Sequence, residues 1–445
     1  MGDEGRLAGE VERRDALLTL YTTAVSAAHP DVCLAPHLPP VPASGRLIVV
    51  GAGKAAAAMA SVAERHYRGV GRLDRLAGFT TAPYGTLDAL PGERPSVLGV
   101  LEARHPTPDE RSVEAAEKTL ALLRTASPDD LVLVLLSGGA SALWAAPAAG
   151  LDIETKTALT RGLLKSGADI YEMNTVRRHI SRIKGGRLRK ATPARMLTLA
   201  ISDVPRDDPA TIGSGPTVPD PTTLEDARAV LSRRAARMQA LGLEIPAAVA
   251  TILADMANET PKPDDPAFAA ADYRIIATPA GALAAAAEKA HSFGYEVVSL
   301  GDSVTGEARF VAQGHARLAL EAKAAGRRLA ILSGGELEVT VRNPNGRGGR
   351  SQEYALALAL EIAGTDGIAA LAADTDGIDG GDGRVTDPAG AMVDGRTAAG
   401  ARHADALKAL DNNDATTFFE VVGGLIVRGP SHTNVNDFRA ILVDP

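Results

Sequence analysis

Two glycine loops that carry basic residues, and one acidic loop, are the parts of this sequence best suited to chemistry on phosphate. Leu47 to Lys54 reads as a buried strand that turns through Gly51 and Gly53 into an alanine-rich helix. A helix N-terminus offers free N–H groups and the positive end of its dipole, so the spacing predicts an anion site there. Lys54 falls in the first turn, against that dipole, and a bound phosphate would compensate it. The second loop, Asn345 to Glu353, combines glycines that let N–H groups converge with Arg347 and Arg350. Guanidinium forks match phosphate or carboxylate bidentately. The acidic loop, Ala373 to Gly383, holds Asp374, Asp376, Asp379 and Asp382 just after an apolar run. Ile378 stands where an EF-hand needs a ligand, so the pattern suits Mg²⁺ shared with nucleotide phosphates instead.

Three further segments bear on the same chemistry. Asn174 to Lys190 carries Arg177, Arg178, Arg182, Lys184, Arg187, Arg189 and Lys190 and no acid. It reads as a helix capped by Asn174 or Thr175 and ended by Gly185-Gly186, with Arg177 and Lys184 on one side. Asp203 closes an apolar strand ahead of the Gly213 to Thr217 loop, and a carboxylate there can hold Mg²⁺ or accept a proton from an alcohol. Gly429 to Asp437, with His432, supplies hydrogen-bonding side chains in a tight loop. No Walker A loop, nucleophile elbow, zinc spacing or protein-kinase catalytic loop is present.

The elements that must position these residues alternate between short apolar runs and helical stretches. Leu47–Val50, Leu131–Leu136, Met196–Ile201, Ile275–Ile276, Glu296–Leu300, Leu329–Leu332 and Ile368–Ala372 read as buried strands. Ser112–Arg124, Leu224–Leu241, Gly281–Phe293 and Gln352–Ile362 read as helices. That alternation predicts an α/β protein of two domains with largely parallel, Rossmann-like sheets. The 445 residues exceed one ordinary core. Asn258 to Asp272, with three prolines and four acidic residues, is the expected linker. It divides an N-terminal domain, 1–257, from a C-terminal domain, 273–445.

Composition narrows the class. Hydrophobic residues make up 45% and charged residues 23%, a globular balance, while aromatics are only 3%, so the core must be aliphatic. A net charge of −8 argues against nucleic acid as a partner. The lone Cys33 allows no internal disulfide and fits a reducing, cytoplasmic setting. The uncharged stretch Leu131–Leu151 is broken by Ser137-Gly138-Gly139 and Pro147, and so reads as strand, loop and helix start, not a membrane span.

Taken in order, Gly51–Lys54, His105–Pro108, Leu136–Ala142, Asn174–Gly186, Ser202–Val204, Ser214–Thr223, Gly349–Glu353, Asp374–Gly377 and Thr433–Asp437 resemble the class II glycerate kinases, whose C-terminal half carries a MOFRL region, here about 328–440. The resemblance implies ATP, Mg²⁺ and D-glycerate, phosphorylated at the 2-hydroxyl, with the site in a cleft between the domains. It implies Lys54 and Arg350 as catalytic residues; Asp203 is our candidate base, and Asp374 and Asp376 the candidate metal ligands. The expected substrate- and phosphate-binding set is Gly51, Gly53, Ser137, Gly138, Gly139, Ser141, Arg177, Lys184, Ser214, Ser333, Gly334, Gly335, Gln352, Glu353, Thr433 and Asn434. Ser351 stands where the family often has Asn. A monomer or homodimer acting on small molecules is expected. The alternatives are a hydroxypyruvate reductase using NAD(P)H at Gly51-x-Gly53, a kinase forming 3-phosphoglycerate, and a non-catalytic sugar-phosphate sensor.

Overall fold

The computed structural model describes residues 3–381 and 383–445. Asp382 of the acidic loop lies outside the described residues. The chain forms two compact units, Cys33–Ile276 and Met1–Val32 together with Ala277–Pro445. This differs from the expected division: the chain passes between units at Val32/Cys33 and Ile276/Ala277. The expected linker instead belongs to the Cys33–Ile276 unit, where Thr260 is buried and the Pro261 carbonyl accepts the Asp220 N–H at 3.0 Å. Proline and acid content marks irregular backbone, and here that backbone is packed.

The Cys33–Ile276 unit is built on a six-stranded sheet in the order β3-β2-β1-β4-β5-β6. Its strands are β1 (Leu47–Ala52), β2 (Leu76–Pro83), β3 (Gly99–Ala103), β4 (Leu131–Leu136), β5 (Arg195–Ile201) and β6 (Ala271–Ala277). β1 pairs in parallel with β2 and β4, as do β2 with β3 and β4 with β5. Ile48, Val50, Val132, Val134 and Met196 pack with Ala115, Ala116, Leu120 and Leu123 of the helix Glu110–Arg124. A separate apolar cluster joins the helices Ile153–Lys165, Ile170–His179, Leu224–Ala240 and Ala247–Ala254 through Leu159, Leu163, Val176, Leu231 and Leu253.

The other unit carries a six-stranded sheet, β11-β10-β9-β12-β8-β7. Its strands are β7 (Glu296–Ser299), β8 (Leu329–Ser333), β9 (Ile368–Asp374), β10 (Gly390–Asp394), β11 (Leu425–Ile426) and β12 (Asp437–Val443). Only β7 and β8 pair in parallel; β12 runs antiparallel between β8 and β9, and β10 antiparallel beside β9 and β11. The expectation of a largely parallel sheet therefore fails in this unit. Antiparallel strands usually betray themselves by one wet face, but these are buried on both, so they read like parallel ones. On one face Ala370, Ala372, Ile441 and Val443 pack with the helices Ala308–Ala324 and Arg350–Glu361. The N-terminal helix, Asp3–Ala27, packs against β9 and β12, with the Tyr21 ring 6.1 Å from that of Phe438. Among the described residues no helix is long and apolar enough to cross a membrane.

Candidate active site

In the Cys33–Ile276 unit the strand order reverses between β1 and β4, and open parallel sheets bind ligands at the C-terminal ends of strands at such a switch point. The Gly51–Lys54 turn follows β1, and Ser137-Gly138-Gly139 follows β4. The two turns are bonded together. The Lys54 N–H donates to the Gly138 carbonyl at 2.8 Å and the Ala55 N–H to Ser137 Oγ at 3.0 Å, while Gly53 N–H donates to the Thr81 carbonyl at 3.1 Å. Gly53, at φ +140°, lies so close that a Cβ there would meet Ser137 Oγ at 2.1 Å. This corrects the expectation of free N–H groups at this turn: Gly53, Lys54 and Ala55 spend theirs inside the protein. What the turn does is fix the backbone of Lys54 at the switch point.

The cationic segment is organised differently from its sequence reading. The helix is Ile170–His179, capped by Asp169, whose carboxylate accepts the Glu172 N–H at 2.8 Å. Asn174 and Thr175 therefore lie inside the helix, not at its cap, and Lys184 lies beyond its end. Arg177 and Lys184 nevertheless converge on one hydroxyl. Lys184 Nζ donates to Ser141 Oγ at 2.7 Å and to the Ser141 carbonyl at 2.8 Å, and the Arg177 guanidinium also donates to Ser141 Oγ. Ser214, held at φ +64°, brings its Oγ to 3.0 Å from both Ser141 Oγ and Asn174 Oδ1. The other cations of the segment are occupied structurally. Arg178 pairs with Asp220 at 2.9 Å, Arg182 with Glu117 and Lys190 with Asp265 at 2.9 Å, while Arg187 and Arg189 bond backbone carbonyls. Asp203 is half-buried just past the end of β5.

In the other unit Arg350 opens the helix Arg350–Glu361 and is ringed by acid. Its Nε donates to both Asp437 oxygens at 2.8 and 3.1 Å, one terminal nitrogen donates to Asp374 at 2.8 Å, and the other pairs with Glu336 at 3.0 Å. These carboxylates raise its pKa above the ordinary guanidinium value despite burial. Asp437 also accepts from Arg439 at 3.2 Å, and burial shifts its pKa up. Asp379, which the sequence placed among the acidic loop's candidate carboxylates, caps this helix instead. It accepts the Ser351 and Gln352 N–H groups at 3.0 and 2.9 Å, and burial pushes its pKa up to about 6. A cavity of about 720 Å³ adjoins the helix start, lined in part by Arg347, Arg350, Asp379 and Arg384.

Several expected binding residues are engaged within this unit. The Gln352 side chain donates to Asp379 and accepts from Thr416, and Glu353 pairs with Arg309 at 3.0 Å and accepts from Asn413. Ser333 Oγ accepts from Arg439 Nε at 3.0 Å; the Gly334 carbonyl also accepts from the Arg439 guanidinium, and Gly335 packs on Val304. Thr433 Oγ1 donates to the Ala28 carbonyl at 2.7 Å, and Asn434 accepts the Asn436 N–H at 3.3 Å. Asp374 accepts the Asp376 N–H at 3.0 Å, and Asp376 accepts the Ile378 N–H at 2.9 Å. Among the described residues no three His, Cys, Asp or Glu side chains converge as a metal cage. Mg²⁺ commonly uses one or two carboxylates with substrate phosphates; Asp374 and Asp376 are neighbours in one turn, with Asp374 also paired to Arg350.

Sequence reasoning passed over three residues. Lys156 sits on the buried stripe of its helix with Leu159 and Leu163, where a helical wheel exposes it as the wrong residue type for a core. Glu336 and Arg439 complete the charged ring at Arg350, and only the pairing of β12 with β8 brings Arg439 there.

The fold and site define a two-unit α/β protein with a lysine at a parallel-sheet switch point and an arginine in an acidic ring. The chain belongs to the DUF4147 family (domain of unknown function), which matches residues 16–254, and it carries a MOFRL family match over residues 329–437. It is 44% identical to an Agrobacterium vitis protein named "Putative hydroxypyruvate reductase", over 98% of this chain and 95% of that one. It is 36% identical to the D-glycerate 2-kinase of Thermotoga maritima, over 94% of this chain and 96% of that one. The crystal structure of a Thermotoga maritima glycerate kinase matches with a TM-score of 0.82 at 33% identity, covering 97% of this chain and 99% of that one.

Proposed function

We propose that this protein transfers the γ-phosphoryl group of ATP to the 2-hydroxyl of D-glycerate, giving 2-phosphoglycerate. Its likeness to the Thermotoga maritima D-glycerate 2-kinase supports the substrate pair. The observation that carries the reaction type is the bonding of the β1 turn. A nicotinamide dinucleotide lays its pyrophosphate on free N–H groups at that turn. Here Gly53, Lys54 and Ala55 direct those groups to Thr81, Gly138 and Ser137. What the turn presents instead is a lysine, which suits phosphoryl transfer and not hydride transfer.

Phosphoryl transfer needs positioning and charge neutralisation more than covalent help. Lys54 and Arg350 supply cationic charge to the transferring group, and Asp203 accepts the proton of the attacking hydroxyl. Asp374 and Asp376 would hold Mg²⁺, which supplies charge neutralisation on the phosphates when bound. Ser141, Ser214, Arg177 and Lys184 orient the acceptor. The reaction uses soluble substrates, and we assign it to the cytoplasm. Incubating the protein with D-glycerate, ATP and Mg²⁺, and separately with hydroxypyruvate and NADH or NADPH, tests the reading. Formation of ADP together with a phosphorylated acid, dependent on glycerate, supports it; oxidation of the nicotinamide without ATP turnover overturns it.

A further inference from the structure

The cations of the Cys33–Ile276 unit fall into two groups. Arg178, Arg182 and Lys190 each have a carboxylate within ion-pair distance. Lys156, Arg177 and Lys184 have none among the described residues. Lys156 is 5% exposed and Lys184 1% exposed, so both are shut off from bulk solvent. Lys184 and Arg177 meet at Ser141 Oγ, itself 3.0 Å from Ser214 Oγ. Lys156 Nζ is buried with no hydrogen-bond partner among the described residues. Its helix, Ile153–Lys165, packs through Leu159 and Leu163 on Met173 and Val176 of the helix that carries Arg177. Burial and then Arg177 and Arg182 push the Lys156 pKa down to about 7, and burial, Arg177 and Lys156 push Lys184 down.

Buried cations without counter-charge are costly, and removing such a charge usually stabilises a protein. A ligand that supplies the missing negative charge offsets that cost. We infer that Lys156, Arg177 and Lys184, with the Ser141 and Ser214 hydroxyls, form an anion pocket that takes the carboxylate of the acceptor acid. The assignment rests on the kinase reading for the identity of that acid. The two lysines are deeply buried and only Arg177 is partly exposed, which suits the compact end of a small hydroxy acid better than a metal-bound triphosphate. Paired serine hydroxyls match a carboxylate with a hydroxyl beside it. Lys156 acts here as a binding and specificity residue, not as a participant in phosphoryl transfer.

The test uses the full chain and its Lys156→Met variant. Calorimetric titration with D-glycerate in the absence of nucleotide, KM values for glycerate and ATP, and thermal melts with and without glycerate are compared. The pocket predicts that Lys156→Met weakens glycerate binding and raises its KM by about tenfold or more, the size of one lost charged contact. It also predicts an unchanged KM for ATP, a higher Tm without ligand, and a smaller Tm rise on adding glycerate. Unchanged glycerate affinity overturns the proposal. A raised KM for ATP alone overturns it in favour of a phosphate site, and a lowered Tm without ligand makes Lys156 structural. Parent protein that binds glycerate but never phosphorylates it refutes the kinase reading and leaves the pocket standing.

Discussion

Replacing Arg350 separates its structural role from its catalytic one. Arg350→Met removes the cation that faces Asp437, Asp374 and Glu336. The Asp437 side chain is fully buried and that of Asp374 is 5% exposed. Leaving buried charges without their partner costs about 3–5 kcal/mol. Arg439 still bonds Asp437, and the Asp437 pKa is already raised, so protonation relieves part of that loss. The low end, about 3 kcal/mol, is therefore expected. For a unit of roughly 200 residues this lowers Tm by about 6–12 °C. Arg350→Lys keeps the charge, but one ammonium cannot reproduce a planar fork spread over three carboxylates. Its stability loss is smaller, while kcat falls on the order of 10²–10³ with KM little changed, because the group acts on the transition state. Steady-state kinetics and thermal melts of both variants measure the two effects. Parent-like kcat in Arg350→Lys refutes the catalytic assignment, and parent-like Tm in Arg350→Met refutes the energetics of the ring.

Three further outcomes follow from the geometry. The folded chain releases the Lys156 proton near pH 7, whereas an ordinary lysine keeps it to 10.5, so the folded state bears the full charge penalty below pH 7 and sheds it as pH rises. Lys156→Met should thus stabilise by up to about 5 kcal/mol near pH 6, at ~1.36 kcal/mol per pH unit of the gap, and little at pH 10.5; melts at several pH values check this, and a gain that grows with pH contradicts it. Gly53→Ala puts a Cβ 2.1 Å from Ser137 Oγ at a φ of +140°, so it should cost on the order of 1–3 kcal/mol and lower kcat by moving Lys54; a stable, fully active variant would show that the turn tolerates displacement. Asp374→Asn and Asp376→Asn should raise the Mg²⁺ requirement more than the glycerate KM; metal titrations that overlay the parent would move the ion elsewhere, Asp203 being the next candidate.

The parallel-sheet unit was legible because its central strands are unmixed apolar runs ending at glycine turns. β1 and β4 were read at their observed places, and so were the two turns that meet at the switch point. β2 was not read, since Gly78, Thr80 and Thr81 dilute its apolar signal. β12 escaped for another reason: Arg439 sits in mid-strand, 1% exposed, and only its bonds to Asp437, Ser333 and Gly334 make a buried arginine tolerable there. The N-terminal helix was not expected to join the C-terminal unit, because a contact such as that of Tyr21 Oη with the Asp374 carbonyl, at 2.9 Å, spans most of the chain. Among the site residues, Lys54, Arg350, Arg177 and Lys184 stood out by type and spacing. Lys156 did not, because a single lysine between Thr155 and Thr157 looks like a solvated helix position until its neighbours at i+3 and i+7 prove to be core.

The most direct test of the central claim is phosphorus NMR of the product formed from D-glycerate, ATP and Mg²⁺. One new phosphomonoester resonance is expected, coupled to a single methine proton as in 2-phosphoglycerate and growing as ATP converts to ADP. A resonance coupled to two methylene protons would place the phosphoryl group on the 3-hydroxyl. The absence of any glycerate-dependent phosphomonoester, with ATP intact, would contradict phosphoryl transfer itself.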